Sequence, residues 1–173
     1  MPTEKTVIDL LPKQLKVIKE AFYDSNKLKI TQLTINAESK EYEACAFLLN
    51  NKKVVYRQAK ITPTKSGQFV TIWKRNSAGI TAPFDEEDNF DYFVITVINN
   101  EKIGQFIFPK TVLNAKGIIS HNSKTGKRGM RVYVPSDAIF SKQAIQTQKW
   151  QADYFYVLTE ENSAVMKSFR ELF

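Results

Sequence analysis

Three residues in the first half of the chain have the types and spacing used in metal-dependent phosphodiester cleavage: Glu38, Gln58 and Lys60. The apolar stretches Cys45–Leu49 and Val54–Ala59 predict two strands, and the polar residues between them predict a hairpin. If the second strand is regular, Gln58 and Lys60 point to the same side of it, and Glu38 comes shortly before the first strand. The acid would hold Mg²⁺, the metal would activate water, and the lysine would stabilise the developing negative charge.

The ligand set for such a metal site is incomplete. Gln58 is neutral where Asp or Glu is expected, and no Pro-Asp pair precedes it. Glu41 and Glu43 are alternative acids before the first strand, and Asp88 or Asp91 would supply another if the loop before the next strand folds back. The pattern therefore predicts weak or absent cleavage, with the lysine contributing more to binding than to catalysis. Mg²⁺ is expected only if the chain is a nuclease, and no other cofactor is expected.

Other catalytic chemistry is poorly represented in the sequence. With one histidine and one cysteine, the chain has no His cluster and no zinc-binding cysteine set. Cys45 lies in an apolar strand, where a small buried thiol is the usual explanation, so a dyad of Cys45 and His121 is not favoured. The segment Gly126–Gly129 lacks the spacing of a nucleotide-binding loop.

Positive charge is concentrated in two parts of the chain. Residues 44–84 contain seven Lys or Arg and no acid, and residues 102–136 contain another seven and no acid. The net charge is +7, so the rest of the chain, with 11 of the 25 bases (25 − 14) and all 18 acids, sums to −7. If the two segments pack beside each other, as we predict, their cations form one basic face that attracts a polyanion, most commonly nucleic acid.

These acid-free segments supply the candidate nucleic-acid contacts. Trp73 is a candidate for stacking on a base or sugar. The remaining candidates are Arg57, Lys60, Lys65, Gln68, Lys74, Arg75, Lys110, Lys127, Arg128 and Arg131. Ion pairs with the acidic residues between positions 85 and 91 are the competing explanation for the cations.

The remaining pattern predicts an α+β fold, with a tendency to three layers, in which helices flank a mixed central sheet that contains the hairpin. Residues 92–98 are almost all apolar and β-branched, which is typical of a strand buried on both faces. Further strands are predicted near 68–73, 104–108 and 130–134, and helices near 10–22, 109–117, 141–154 and 162–172. The third helix is expected to turn Ile145, Gln148 and Tyr154 inward. We expect a single domain over residues 1–173.

The sequence predicts a cytoplasmic protein without a membrane partner. The N-terminus lacks the basic start and apolar run of a signal peptide, and the longest apolar run is too short to span a bilayer. The single cysteine allows no internal disulfide, which fits a reducing compartment.

Several motifs resemble those of the MepB-like proteins. The longest is Arg57-x-Ala59-Lys60-x-Thr62-Pro63-x-Lys65-x-Gly67-Gln68-Phe69-Val70-x-x-Trp73-Lys74-Arg75. The others are Glu38-Ser39-x-x-Tyr42, Gly104-x-Phe106-Ile107-Phe108-Pro109-Lys110, Gly126-Lys127-Arg128-Gly129-Met130-Arg131-Val132-Tyr133 and Gln143-Ala144-x-x-Thr147-Gln148-x-Trp150-Gln151. The resemblance extends from about residue 38 to 155.

The resemblance implies a fold similar to the PD-(D/E)XK nuclease-like core, with Glu38, Gln58 and Lys60 near the ancestral active-site region. The family takes its name from a bacterial locus that also encodes a drug-efflux pump and its repressor. Three functions stay open: a nucleic-acid-binding protein for DNA or RNA with little sequence preference, a Mg²⁺-dependent nuclease, and a protein-interaction module linked to drug efflux or stress response. The oligomeric state is not predicted.

Overall fold

The computed structural model describes residues 3–160 and 162–173. Its α-helices are α1 (Glu4–Leu10), α2 (Lys13–Ile18), α3 (Lys110–Ala115), α4 (Lys142–Ala152) and α5 (Ser163–Glu171). Its strands are β1 (Ile30–Ile35), β2 (Cys45–Leu49), β3 (Lys52–Gln58), β4 (Lys60–Ile61), β5 (Gln68–Thr71), β6 (Trp73–Arg75), β7 (Thr81–Pro83), β8 (Tyr92–Asn99), β9 (Lys102–Pro109), β10 (Gly129–Val132) and β11 (Phe155–Val157).

The central sheet is mixed, with the strand order β1-β2-β3-β8-β9-β11. β3 pairs with β8 in parallel, whereas the other neighbours are antiparallel. The apolar run in β8 is buried on both faces of the sheet, because β8 lies between β3 and β9. The predicted α+β fold with a mixed central sheet and a strand hairpin, formed by β2 and β3, is therefore confirmed.

The two faces of the central sheet are covered by different elements. One face packs against α2 and α5 through buried side chains such as Leu15, Ile18 and Phe169. The other face packs against a small sheet of order β10-β5-β4, and against α3. Val70 and Met130 of the small sheet and Leu113 of α3 belong to that second core. The second layer is therefore part sheet and part helix.

A chain of buried polar side chains crosses the central sheet on its α2 side. The Tyr23 hydroxyl donates to Gln105 Oε1 (2.8 Å), and Gln105 Nε2 donates to Thr96 Oγ1 (3.1 Å). The Tyr56 hydroxyl lies 2.6 Å from the same Thr96 oxygen. Because all four residues are fully buried, each lost hydrogen bond would leave a polar group without water. The network therefore ties the register of β3, β8 and β9 to the segment after α2.

Several elements differ from the sequence prediction. The helix expected over residues 10–22 is divided, because α1 ends at Leu10 and Pro12 precedes α2. A π-helical turn, Lys19–Tyr23, follows α2. Strands β1 and β11 at the two sheet edges were not predicted.

The helix after Ser141 forms as predicted, but one inward residue is wrong. The Ser141 side chain accepts a hydrogen bond from Ala144 N, which caps α4. Tyr154 packs near the Phe108 ring, whereas Ile145 is 48% exposed. The inward face of α4 combines Gln148 and Gln151 with Trp150, whose ring centre lies 5.4 Å from that of Phe108.

Candidate nucleic-acid interface

The chain changes sheets between Gln58 and Lys60. Gln58 ends β3, the Ala59 amide still donates to Thr96 O of the central sheet, and Lys60 begins β4 of the small sheet. Lys60 pairs with Phe69 of β5. The regular strand that would turn Gln58 and Lys60 to one side therefore ends before the lysine, and the two side chains belong to different sheets.

The predicted acid, Glu38, is held in an ion pair. Its Oε1 accepts a hydrogen bond from Arg75 Nε at 2.9 Å. Its neighbour Ser39 is buried and accepts a hydrogen bond from the Thr71 hydroxyl. Lys60 Nζ lies 5.0 Å from the centre of the Tyr42 ring, on the segment that follows. The motif Glu38-Ser39-x-x-Tyr42 therefore docks onto β4, β5 and β6.

The alternative acids lie in different surroundings. Burial raises the pKa of Glu43, against a hydrogen bond from Gln14 and the charge of Lys13. Asp91 precedes β8 and accepts a hydrogen bond from the Lys53 amide, at the opposite end of β3 from Gln58. The loop before β8 therefore does not bring Asp91 to the Gln58 end, so the condition under which Asp91 would supply a second acid is not met.

Asp88 is also engaged away from this region, because it pairs with Lys74 and accepts a hydrogen bond from the Asp85 amide. Within the part of the chain that the structure describes, no three His, Cys, Asp or Glu side chains converge as metal ligands. At a Mg²⁺ site at Glu38, Gln58 would be a neutral ligand. The Gln58 side chain forms no hydrogen bond to the described residues.

Arg57 lies inside the protein and not on its surface. It is 1% exposed, its Nη1 donates to Tyr56 O (2.8 Å), and its guanidinium lies 5.7 Å from the Phe93 ring centre. Burial lowers the pKa of Arg57 to about 10, while Cys45 and Glu38 act in the opposite direction. The Arg57 Nε has no hydrogen-bond partner among the described residues. The folded protein therefore does not offer this guanidinium to a phosphate.

Gln68 is also buried, and its Nε2 donates to Ile98 O (3.0 Å). Lys110 is half-buried, and its ammonium donates to the Asp88 carbonyl. Trp73 is half-buried in the two-stranded ribbon of β6 and β7, with Arg75 5.8 Å from its ring centre. These side chains lie outside the groove described below.

The acidic cluster, the acidic residues between positions 85 and 91, neutralises few of the cations. Among the described residues, only Lys74 of the cations in the family motifs forms an ion pair with this cluster, through Asp88. Arg75 pairs with Glu38 instead. Arg128 is exposed and donates to Thr81 O (3.3 Å), beside Arg75 in the ribbon of β6 and β7. Exposed cations without an acidic partner therefore remain on the small sheet and its loops.

The two acid-free segments meet in the small sheet. β5 of the first segment pairs with β10 of the second. Lys60, Phe69 and Arg131 form one row across β4, β5 and β10, and paired residues share a face of the sheet. Arg131 also donates to Thr62 Oγ1 (2.8 Å) and Ser66 O (3.0 Å). The predicted packing of the two segments is observed, and Arg131 fixes the loop between β4 and β5.

A groove between β10 and α4 adjoins this row. Two hollows of about 420 Å³ and about 290 Å³ share Arg131, Tyr133, Ser141 and Ala144, so they form one continuous groove. Its cations are Lys65, Lys116, Lys127 and Arg131, and its aromatic residues are Phe69, Tyr133, Phe140 and Trp150. Phe140 is 89% exposed at one end. The groove thus brings positive charge and aromatic rings together.

Sequence reasoning missed Lys116, Tyr133, Phe140 and Trp150 as site residues. Lys116 belongs to an acid-free segment, and its ammonium lies 5.6 Å from the Trp150 ring centre. The aromatic signal was present in the sequence, but Phe140 lies in a loop without periodicity. Its position beside α4 follows from the tertiary fold.

Two glutamines of the last family motif hold α4 against β10. Gln151 is fully buried; its Oε1 accepts from Tyr133 N (2.8 Å) and its Nε2 donates to Arg131 O (3.0 Å). Gln148 Nε2 donates to Val134 O (2.9 Å). The Gln151 amide group therefore takes the place of a neighbouring strand at the edge of β10, and it fixes the width of the groove.

Two solved structures are similar to this chain. A crystal structure of MepB superposes with a TM-score of 0.75 and 35% sequence identity, over 87% of this chain and 99% of that chain. The bacterial homing endonuclease I-Ssp6803I gives a TM-score of 0.42 and 14% identity, over 88% of this chain and 94% of that chain. No curated protein matches the chain.

No helix in the described residues has the length and apolar character needed to cross a membrane.

The family model described as MepB-like matches residues 36–157. This match covers more than half of the chain and includes β2 to β11, α3 and α4. The chain therefore belongs to the MepB-like family.

Proposed function

We propose that this protein binds nucleic acid, DNA or RNA, with little sequence preference, through the groove between β10 and α4. The observation that carries the proposal is that one groove contains cations from both acid-free segments together with aromatic rings, of which that of Phe140 is exposed. Lys65 comes from the first segment, and Lys116 and Lys127 come from the second. Phosphates attract such cations regardless of sequence.

The aromatic residues add a second, sequence-tolerant contribution. Every base has a π-face, so stacking on a ring such as Phe140 does not require a particular base. Phe140 is 89% exposed and lies next to Tyr133 and Arg131, so its ring is open to such a contact. The proposal includes the nuclease-like core that the family resemblance implied, without requiring catalysis.

The proposed interface omits Arg57 and Gln68 because both are buried. Lys60 lies beside the groove, in the row that contains Arg131, and is not one of its lining residues. Arg75 and Arg128 flank the ribbon of β6 and β7 and would extend the positive surface beyond the groove. Lys74 and Lys110 contribute less, since Asp88 engages both.

The test is direct binding. Fluorescence anisotropy with labelled single- and double-stranded DNA and RNA at low salt should give saturable binding. Phe140→Ala should weaken single-strand binding by about 5- to 150-fold, the range expected for one stacked base. Leu10→Ala, which removes another exposed apolar side chain on the far face, is the matched control and should bind like the wild type.

The two alternative functions give different results in the same experiment. If no DNA or RNA binds at low salt, the proposal is wrong and a module that docks an acidic protein becomes the better explanation. If the oligonucleotides are cut with Mg²⁺ or Mn²⁺ but not with a chelator, and cutting is lost in both Glu38→Ala and Lys60→Ala, the protein is a nuclease. We expect the oligonucleotides to remain intact.

A further inference from the structure

A second cleft opens between the two sheets, on the other side of the small sheet from the groove. Its volume is about 280 Å³. Gln68 and Val132 line it, and they pair across β5 and β10. Since side chains alternate along a strand, they project away from the side that carries Phe69 and Arg131. The cleft is therefore separate from the proposed nucleic-acid groove.

The floor and roof of the cleft are apolar. Val97, Gly104 and Val157 form a row across β8, β9 and β11 in the central sheet. The Phe155 ring lies directly over Gly104, so an added Cβ at this position would come within 2.4 Å of the ring. Glycine is therefore the residue that leaves room for Phe155. Val132 supplies part of the opposite wall. An inter-sheet cleft of this composition buries the apolar body of a small molecule.

The polar groups of the cleft leave one uncompensated charge. Lys102 and Glu160 both line the cleft, and they pair with each other at 3.2 Å. Asp137 also lines the cleft, and it forms no ion pair within the described part of the chain. Its charge is therefore available to a ligand.

Asp137 is held rigidly in position. Its Oδ2 accepts a hydrogen bond from Val134 N (3.0 Å), and its backbone carbonyl accepts one from Gln148 Nε2 (3.0 Å). Burial raises the pKa of Asp137, against the hydrogen bond from Val134. A carboxylate in partly apolar surroundings gains from a cationic partner more than one in water does.

We infer that this cleft is a binding site for a small organic amine with one positive charge and an apolar body. The ammonium group contacts Asp137, and the apolar body lies between Val132 and the row of Val97, Gly104 and Val157. The volume lies just below the range of about 300–1,000 Å³ typical of drug-sized ligands, so the occupant is small. The charge of Asp137 selects amines over acids of the same shape.

The experiment uses three probes of similar size: 2-phenylethylamine, 2-phenylethanol and 3-phenylpropionate. Each is titrated into the full chain and followed by amide chemical shifts in NMR spectra. The amine should shift the amides of Gly104, Val132 and Val157, and it should bind at least about tenfold more tightly than the propionate, as expected for one charge-assisted hydrogen bond.

Asp137→Asn keeps an oxygen that can accept from Val134 N and removes the charge. It should abolish the advantage of the amine over the propionate. Asp153→Asn makes the same charge change at an exposed position at the end of α4, and it should leave that advantage intact. The NMR spectrum of each variant reports whether it is folded.

Three results would overturn the inference: none of the probes shifts the cleft amides, the propionate binds as tightly as the amine, or the two Asn variants behave alike. Should Asp137→Asn fail to fold, the comparison of the three probes on the wild-type chain still tests whether the cleft prefers an amine.

Discussion

The groove cations predict how nucleic-acid affinity depends on salt. Lys65, Lys116, Lys127 and Arg131 line the groove, and each phosphate contact contributes about −0.7 to the slope of log affinity against log salt for single strands. Four contacts therefore give a slope of about −2.8 for single strands, or about −3.6 for duplex at about −0.9 each. The single-strand slope corresponds to a loss of about 50-fold in affinity between about 50 mM and about 200 mM salt.

The double variant Lys116→Ala, Lys127→Ala tests this value. Both side chains are exposed, whereas Arg131 also holds the loop between β4 and β5 and is left in place. The slope for single strands should fall to about −1.4, so the same change in salt weakens binding only about sevenfold. Anisotropy titrations at four or five salt concentrations measure it.

The matched control is Lys52→Ala, Lys53→Ala. These exposed lysines also belong to an acid-free segment, and the variant has the same net charge, but they lie at the β2–β3 turn. Their removal should leave the slope unchanged. The reasoning is refuted if the groove variant retains the wild-type slope, or if the turn variant flattens it equally, because binding would then follow net charge and not the groove.

Two further predictions concern stability. Thr96→Val should lower the free energy of unfolding in urea by about 2–4 kcal/mol, since it leaves the buried Tyr56 hydroxyl and Gln105 amide without their shared partner. The control, Thr34→Val at an exposed position, should change the free energy of unfolding by less than about 0.5 kcal/mol. Similar losses in both variants would disprove the stabilising role of the network. Burial raises the pKa of Glu43 above its ordinary value of 4.5, so the wild type loses stability as the pH rises through that raised pKa. Glu43→Gln should therefore raise the melting temperature near pH 7 but not well below pH 4.5. A melting-temperature difference that does not depend on pH would contradict this explanation.

The parts of the fold that the sequence predicted best have an uninterrupted pattern. β8 is apolar at almost every position because both of its faces are buried, and the β2–β3 turn contains Asn50, which adopts a φ of 52°. β1 was missed because its register shifts between Thr31 and Thr34, and Gln32 takes a φ of 53°. That irregularity removes the two-residue alternation on which strand prediction depends. β11 has only three residues and forms by pairing with β9.

The candidate site was predictable only in part. Charge segregation correctly indicated that two distant segments meet, since β5 of the first segment pairs with β10 of the second. Alternation along β3 puts Arg57 on the same side as the apolar residues Val55 and Ala59, so its burial against a core was readable from the sequence pattern. Phe140, in contrast, gains its position only when the Gln151 side chain docks α4 on β10.

The position of Glu38 bears on how any cleavage assay is interpreted. This carboxylate pairs with Arg75 at the surface, and its charge also raises the pKa of the buried Arg57. Removing it would leave Arg57 with less compensating negative charge, and an uncompensated buried cation is destabilising. Loss of activity in Glu38→Ala would therefore have two explanations, a missing metal ligand or a weakened fold. Urea unfolding of Glu38→Gln, which also removes the charge, separates them. If its free energy of unfolding equals that of the wild type, lost cleavage reflects the missing carboxylate, whereas a lower free energy of unfolding reflects the weakened fold.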